Sequence, residues 1–240
     1  MSATNSAIKN KLLLKASTTY KALLPHLEEV SLSAGRVVHQ SGEIITEIYF
    51  PQTAICSLAI EMQDKSQTQI CLIGCEGAIG LPAIFGSNLL NTSSMVQISG
   101  TALKVPTEVI KREFNRGKIL HQILLLYTQT RLANTSQVAV CNSVHNIEQK
   151  LARLLLFVRD CTEQDTLPLT QKSISLILGV RRASITETAI SLQKQQIIKY
   201  NRGKITIVND RRLKAIACEC YSKINSEYER LLKPNSTFKC

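Results

Sequence analysis

The sequence predicts an α+β chain in three parts: an N-terminal antiparallel β domain, a long helix, and a C-terminal winged helix-turn-helix. Three observations carry this. Short β-rich runs separated by turn signals fill the stretch from Ser31 to Val105, a pattern of antiparallel barrels and sandwiches. Residues 107–140 then switch to helical periodicity. Finally, TQKSISLILGVRRASITETAISLQ at 170–193 holds two helical patterns joined at Gly179, followed by a hairpin pattern.

In chain order, residues 9–30 read as helical, with Leu12, Leu13, Leu14, Leu23, Leu24 and Leu27 available to pack and Pro25 kinking or restarting the segment. The strand candidates follow. Arg36–His39 precedes Ser41-Gly42, Ile44–Phe50 precedes Pro51, and Ala54–Met62 precedes a polar turn at Gln63–Ser66. Gln69–Ile73 leads to Gly74 and Met95–Ile98 to Gly100, with a glycine-rich turn, Glu76–Gly86, between them. The first domain is therefore set at 1–108.

The long helix is placed at 109–141. Ile119, Ile123, Leu126, Thr130, Ala133, Gln137 and Val140 step by four and three, a heptad seam with a small, polar middle. Because such a helix joins two differently charged regions, the seam is expected to form a homodimer. Asn142–Asn146 breaks it, Ile147–Arg159 forms another amphipathic helix, and Asp160–Pro168 links into the helix-turn-helix. The winged domain is bounded at 146–215 and a helical tail at 216–240.

Within 170–193, Ile174, Ile177 and Leu178 give the first helix an apolar face, and Gly179 supplies the backbone freedom for a tight turn. Ala183 or Ser184 starts the second helix, whose apolar positions are Ile185, Ala189 and Leu192. Two runs around Asn201-Arg-Gly-Lys204 then read as a hairpin with a basic tip. Charge decides what this surface meets. Residues 1–110 carry 7 Lys+Arg against 8 Asp+Glu, whereas 111–240 carry 22 against 10. From Thr170 to Lys214 there are 10 basic residues and only Glu187 and Asp210 as acids. A one-signed surface of this kind fits double-stranded DNA.

The remaining classes are set aside on specific grounds. No run approaches the 18 or more apolar residues of a membrane span, and the first residues lack a secretory pattern, so a cytoplasmic protein without membrane contact is expected. No nucleophile sits with a base and no carboxylates pair, which argues against an enzyme. The 8 cysteines form no CxxC pair and no histidine is expected near enough in sequence to complete a zinc-type ligand set, so no metal site and no cofactor are expected, and the thiols read as small buried side chains.

This order of parts resembles the Crp/Fnr family of bacterial transcription regulators. The resemblance covers about residues 28–220 and is carried by SLSAGRVVHQSGEIITEIYFPQTAICSL at 31–58, CLIGCEGAIGLPAIFG at 71–86, CNSVHNIEQKLARLLL at 141–156, LPLTQKSISLILGVRRASIT at 167–186 and YNRGKITIVNDRRL at 200–213. It implies a β-roll like a cyclic-nucleotide-binding domain, and a homodimer reading a palindromic site, with RNA polymerase as a further partner. By the same resemblance Arg182, Ser184 and Glu187 read bases, while Lys172, Arg181, Arg202 and Lys204 meet phosphates. The effector pocket is implied at Glu76, Gly77, Gly80, Ser93 and Ser94. There the chain departs from the family: the later part of the cassette, Asn91-Thr-Ser-Ser-Met95, has no arginine for a cyclic phosphate. Cyclic AMP is not expected; the roll is left to bind another, unidentified small molecule, to answer to a partner protein, or simply to hold the dimer. No cysteine precedes Cys56, which removes the iron–sulfur ligand set of one branch. The alternative reading is a non-specific architectural DNA-binding protein.

Overall fold

A computed structural model describes residues 8–16, 22–63, 67–86 and 89–232. The expected turn at 64–66, the end of the tail from Pro234 and Cys240 lie outside the described residues. The β domain is built from two antiparallel sheets. One holds β1 (Glu28–Leu32), β7 (Gly100–Pro106) and β3 (Glu47–Pro51) in that order; the other holds β2 (Val37–His39), β6 (Ser93–Ile98), β4 (Ile55–Glu61) and β5 (Gln67–Ile73). Leu32, Tyr49, Ala54, Cys56, Ile73, Val96 and Ala102 make the core between them.

The sequence reading of a helix over 9–30 is corrected. Among the described residues there, α1 (Lys11–Lys15), Ala22 and Leu23, and a 3-10 turn at Leu24–His26 are helical, residues 17–21 lie outside the described residues, and Glu28 already pairs with Lys104 in the β1–β7 ladder. Asn10 starts α1: its side-chain oxygen accepts from Leu13 N and its amide donates to the carbonyls of Pro51 and Gly77, which ties α1 to the roll.

Residues 109–141 are not one helix. α2 (Thr107–Asn115) stops at Arg116-Gly117, where Gly117 takes φ 66°, and α3 runs from Ile119 to Val144. α4 (Ile147–Thr162) follows after two residues, started by a capping box between Asn146 and Gln149. A short strand, β8 (Thr166–Leu167), lies in the expected linker because it pairs with β10 (Lys204–Ile207). α5 (Gln171–Leu178), α6 (Arg182–Lys194) and β9 (Ile198–Asn201) complete the winged domain with β10. The tail is two helices, α7 (Asp210–Ile216) and α8 (Cys220–Leu232).

Helix α8 packs along α3, and this changes the reading of the heptad seam. Leu126 is 9% exposed and Thr130 0%; both are covered within the chain, Leu126 in a cluster with Leu231, Leu232 and Tyr228. Thr130 Oγ1 is further satisfied by Leu126 O, and Gln137 donates to Cys220 Sγ at 3.0 Å. Ile123 packs against the same cluster, Ala133 is half-buried and Ile119 is exposed. The stripe left open on α3 is Leu125 (47%) and Leu132 (70%), joined by Val140 (51%), an end of the expected seam that stays uncovered. A dimer through Leu126, Thr130 and Gln137 would have to displace the chain's own helix.

Candidate nucleic-acid interface

The winged domain closes its own core. Ile174, Leu178, Ile185, Ala189 and Leu192 are buried with Leu151, Leu155 and Val158 of α4 and Ile198, Ile205 and Ile207 of the hairpin. Thr170 starts α5 through a reciprocal bond with Ser173, its Oγ1 accepting from Ser173 N and its own N–H donating to Ser173 Oγ, both at 3.0 Å. Gly179 ends the helix at φ 64°, a conformation natural to glycine, and Val180 N bonds back to Ser175 O. Arg181, extended at φ −64° and ψ 139°, caps α6, so the second helix begins one or two residues earlier than expected. Arg182 therefore stands in its first turn.

The apolar face of α6 is spent on the core, which leaves the polar face outward. Arg181, Arg182 and Glu187 are exposed and Ser184 half-exposed. Thr186 and Thr188 turn their hydroxyls back onto the carbonyls of Arg182 and Ser184, and this keeps the outer face low. At the hairpin, Lys204 pairs with Asn201, leaving a two-residue turn of Arg202 (φ 45°) and Gly203 (φ 79°). Two positive φ values define the tight turn that matches strand twist and projects the Arg202 side chain from the tip. A methyl at Gly203 would lie 3.3 Å from Thr170 Cγ2, so the tip stands beside the start of α5. Gln193 Oε1 accepts from Tyr200 N at 2.8 Å and fixes the end of α6 to the hairpin.

Lys172, Arg181, Arg182, Arg202 and Lys204 are all exposed, and among the described residues none is in an ion pair. Farther down, by contrast, Arg159 and Lys214 both pair with Asp210.

The residues expected around an effector are only partly together. A cavity of about 430 Å³ between the roll and α3 is lined by Gly80 and Ser94, with His39, Tyr127, Arg131 and Leu132; Glu76, Gly77 and Ser93 are not on it. Glu76 instead accepts from Gly74 N, as a turn carboxylate often does, and Ser93 Oγ accepts from Ser41 N. Gly77 makes room for the Tyr127 hydroxyl, which accepts from Ala78 N at 3.1 Å. Arg131, missed in the sequence, brings a cation to this cavity from α3; its guanidinium donates to Leu72 O at 3.3 Å and to Cys71 Sγ. Arg131 lies outside the roll, on α3.

The cysteines also depart from expectation. Those described are buried, but five of them not singly: Cys141, Cys218 and Cys220 converge with His145, and Cys75 and Cys161 with Glu76. Cys218 precedes α8 rather than lying on it, so Cys218 and Cys220 face the same way.

These features define a winged helix-turn-helix protein. Residues 149–216 match the Crp-like helix-turn-helix domain. Solved structures extend the likeness to the whole architecture. FixK2 from Bradyrhizobium japonicum superposes with a TM-score of 0.68 at 14% identity, over 80% of this chain and 98% of that one. A CRP-family transcriptional regulator from Thermus thermophilus gives 0.64 at 13%, over 78% and 96%. The c-di-GMP-responsive global regulator CLP of Xanthomonas campestris gives 0.63 at 14%, over 80% and 98%. No curated protein sequence matches. The chain thus carries a Crp-like helix-turn-helix domain at 149–216 and shares the fold of these Crp/Fnr-type structures. Among the described residues no helix is long and apolar enough to cross a membrane.

Proposed function

We propose that the chain acts as a homodimer that reads a palindromic DNA site with α6, one half-site per protomer. The carrying observation is the set of unpaired cations around an α6 whose apolar face is already buried. Arg182, in the first turn, suits a bidentate pair with guanine O6 and N7; Glu187, one turn on, suits cytosine N4, with Ser184 between them. Lys172, Arg181 and the tip residues Arg202 and Lys204 flank the helix and serve phosphates. A two-fold dimer of such helices reads half-sites about 10 base pairs apart, and RNA polymerase is the natural further partner of a bound regulator.

The dimer face in this reading is the open stripe of α3, Leu125, Leu132 and Val140. Thr128, Leu132 and Thr135 of the same face line the cavity beside Arg131, so a second copy there would cover the cavity mouth. An effector in it would be mostly apolar with an acceptor or anionic group toward Arg131.

The test is selection of genomic fragments by purified protein at about 0.15 M salt, followed by affinity measurements on the enriched sequence and a scrambled one. An enriched palindrome is expected, and Arg182→Ala should cost roughly 1–3 kcal/mol on it while relaxing preference at one position per half-site. Equal affinity for both DNAs would replace this reading with the architectural one.

A further inference from the structure

We infer that Cys141, His145, Cys218 and Cys220 form a zinc site that clasps the end of α3 to the start of α8. The four residues come from two places 77 residues apart in sequence. Cys141 and His145 are one turn apart at the end of α3, and Cys218 and Cys220 flank the entry to α8. Their ligand atoms all lie within 4.8 Å of one another. Cys141 Sγ stands 3.6 Å from Cys218 Sγ, and Cys220 Sγ stands 3.7 Å from His145 Nδ1. Ligand atoms held tetrahedrally on zinc, with bonds of roughly 2.0–2.3 Å, stand about 3.4–3.8 Å apart. Two opposite edges of that tetrahedron, at 3.6 and 3.7 Å, already have this length.

The surroundings are those of a ligand set. His145 Nε2 is engaged by Glu219 Oε2 at 3.0 Å, which fixes the ring and leaves Nδ1 turned to the thiols. Gln137 Nε2 points an N–H at Cys220 Sγ, 3.0 Å away, a bond that favours thiolate over thiol. The three sulfurs are almost wholly buried, with Cys141 at 0%, Cys218 at 3% and Cys220 at 0% exposure. Three thiolates and a neutral imidazole around a divalent ion leave one negative charge. Arg153 lies near enough to act electrostatically on Cys141, and its buried Nε has no hydrogen-bond partner among the described residues. Three sulfurs and one nitrogen select a soft, tetrahedral ion, so zinc is favoured over magnesium or calcium. Binding would release the thiol protons to solvent.

The place gives the site a consequence. His145 and Asn146 are the only residues between α3 and α4. An ion bound there would pin the junction through which α3 meets the winged domain, and would pin α8 against α3 at the same point.

The experiment uses the full chain, reduced and stripped of metal by chelator, then titrated with cobalt(II) as the spectroscopic stand-in for zinc. Expected are the visible bands of tetrahedral cobalt with thiolate charge transfer, saturating at about one ion per chain and bleached by one equivalent of zinc. Cys218→Ser and Cys220→Ser should each abolish the bands, Glu219→Gln should weaken zinc affinity about 10–100-fold, and Cys161→Ser, in the other cysteine cluster, should leave both unchanged. Should the cysteine variants fold poorly, the unmodified chain decides through the titration alone. Absence of a tetrahedral cobalt spectrum in the reduced chain, or a spectrum that survives in a folded Cys218→Ser, Cys220→Ser double variant, overturns the site.

Discussion

At the scale of single residues, the β-roll depends on one close contact. Tyr127 reaches from α3 into the roll and accepts from Ala78 N, and a Cβ at position 77 would overlap its hydroxyl. Gly77→Ala should therefore destabilise by roughly 1–3 kcal/mol through overpacking. Tyr127→Phe should cost about 1–3 kcal/mol by leaving a buried N–H unpaired. Combined, they should cost less than the sum, because removing the hydroxyl relieves most of the clash; a urea-denaturation cycle that gives strict additivity would refute the contact. His39 supplies a second test. Burial holds its imidazole below the ordinary 6.5, against the pull of the Glu47 carbonyl, which its Nε2 meets at 2.9 Å, and of the Glu47 and Glu43 carboxylates. The unfolded chain then binds this proton more readily than the folded one. Stability rises with pH between the depressed folded value and 6.5, and is lost as pH falls through that window. His39→Gln should flatten the stability profile there, and an unchanged slope would remove His39 as its source. Neither contact was legible in the sequence. Gly77 read as part of a glycine-rich turn and an implied effector pocket, and His39 as the end of a strand, because what constrains each arrives from a distant element.

At the scale of elements, what was legible was what local chemistry dictates. The glycine between two amphipathic helices and the basic tip Arg202-Gly203 act through neighbours a few residues away, and the sequence shows these directly. Strand β8 was hidden because two residues, Thr166 and Leu167, carry no period; only the β10 edge makes them a strand. The heptad on α3 was real, but periodicity says that a stripe is covered and not by what. α8 covers it, which moves the face available to a second copy round to Leu125, Leu132 and Val140. This separates two substitutions seven or fewer positions apart. Leu132→Glu lies on the open face and should leave the fold intact while weakening self-association by at least about tenfold, since a charge would be buried unpaired in the interface. Leu126→Ala lies under α8 and should cost about 2–5 kcal/mol of folding stability through the cavity it leaves. Sedimentation and thermal unfolding read the two effects independently, and a Leu132→Glu protein that stays fully dimeric would place the interface elsewhere.

Across the whole molecule, charge and fold agree. The β-roll half is close to neutral and the excess lies in the half that carries α6 and the hairpin, so association with DNA should be strongly salt-dependent while its sequence preference rests on few residues. The two contributions can be pulled apart with one tip residue. Arg202 projects from a two-residue turn, is exposed and has no ion pair. On the phosphate reading, Arg202→Ala in a two-fold dimer removes two phosphate contacts. The slope of log affinity against log salt should then fall in magnitude by about 2, at roughly 0.9 per contact. Affinity should drop by the same factor on the selected palindrome and on scrambled DNA, so their ratio at fixed salt stays put. Arg182→Ala should do the reverse, changing that ratio while leaving the slope nearly unchanged. If Arg202→Ala alters the ratio instead, the tip reads sequence or groove shape, and the division between a base-reading helix and a phosphate-binding hairpin fails.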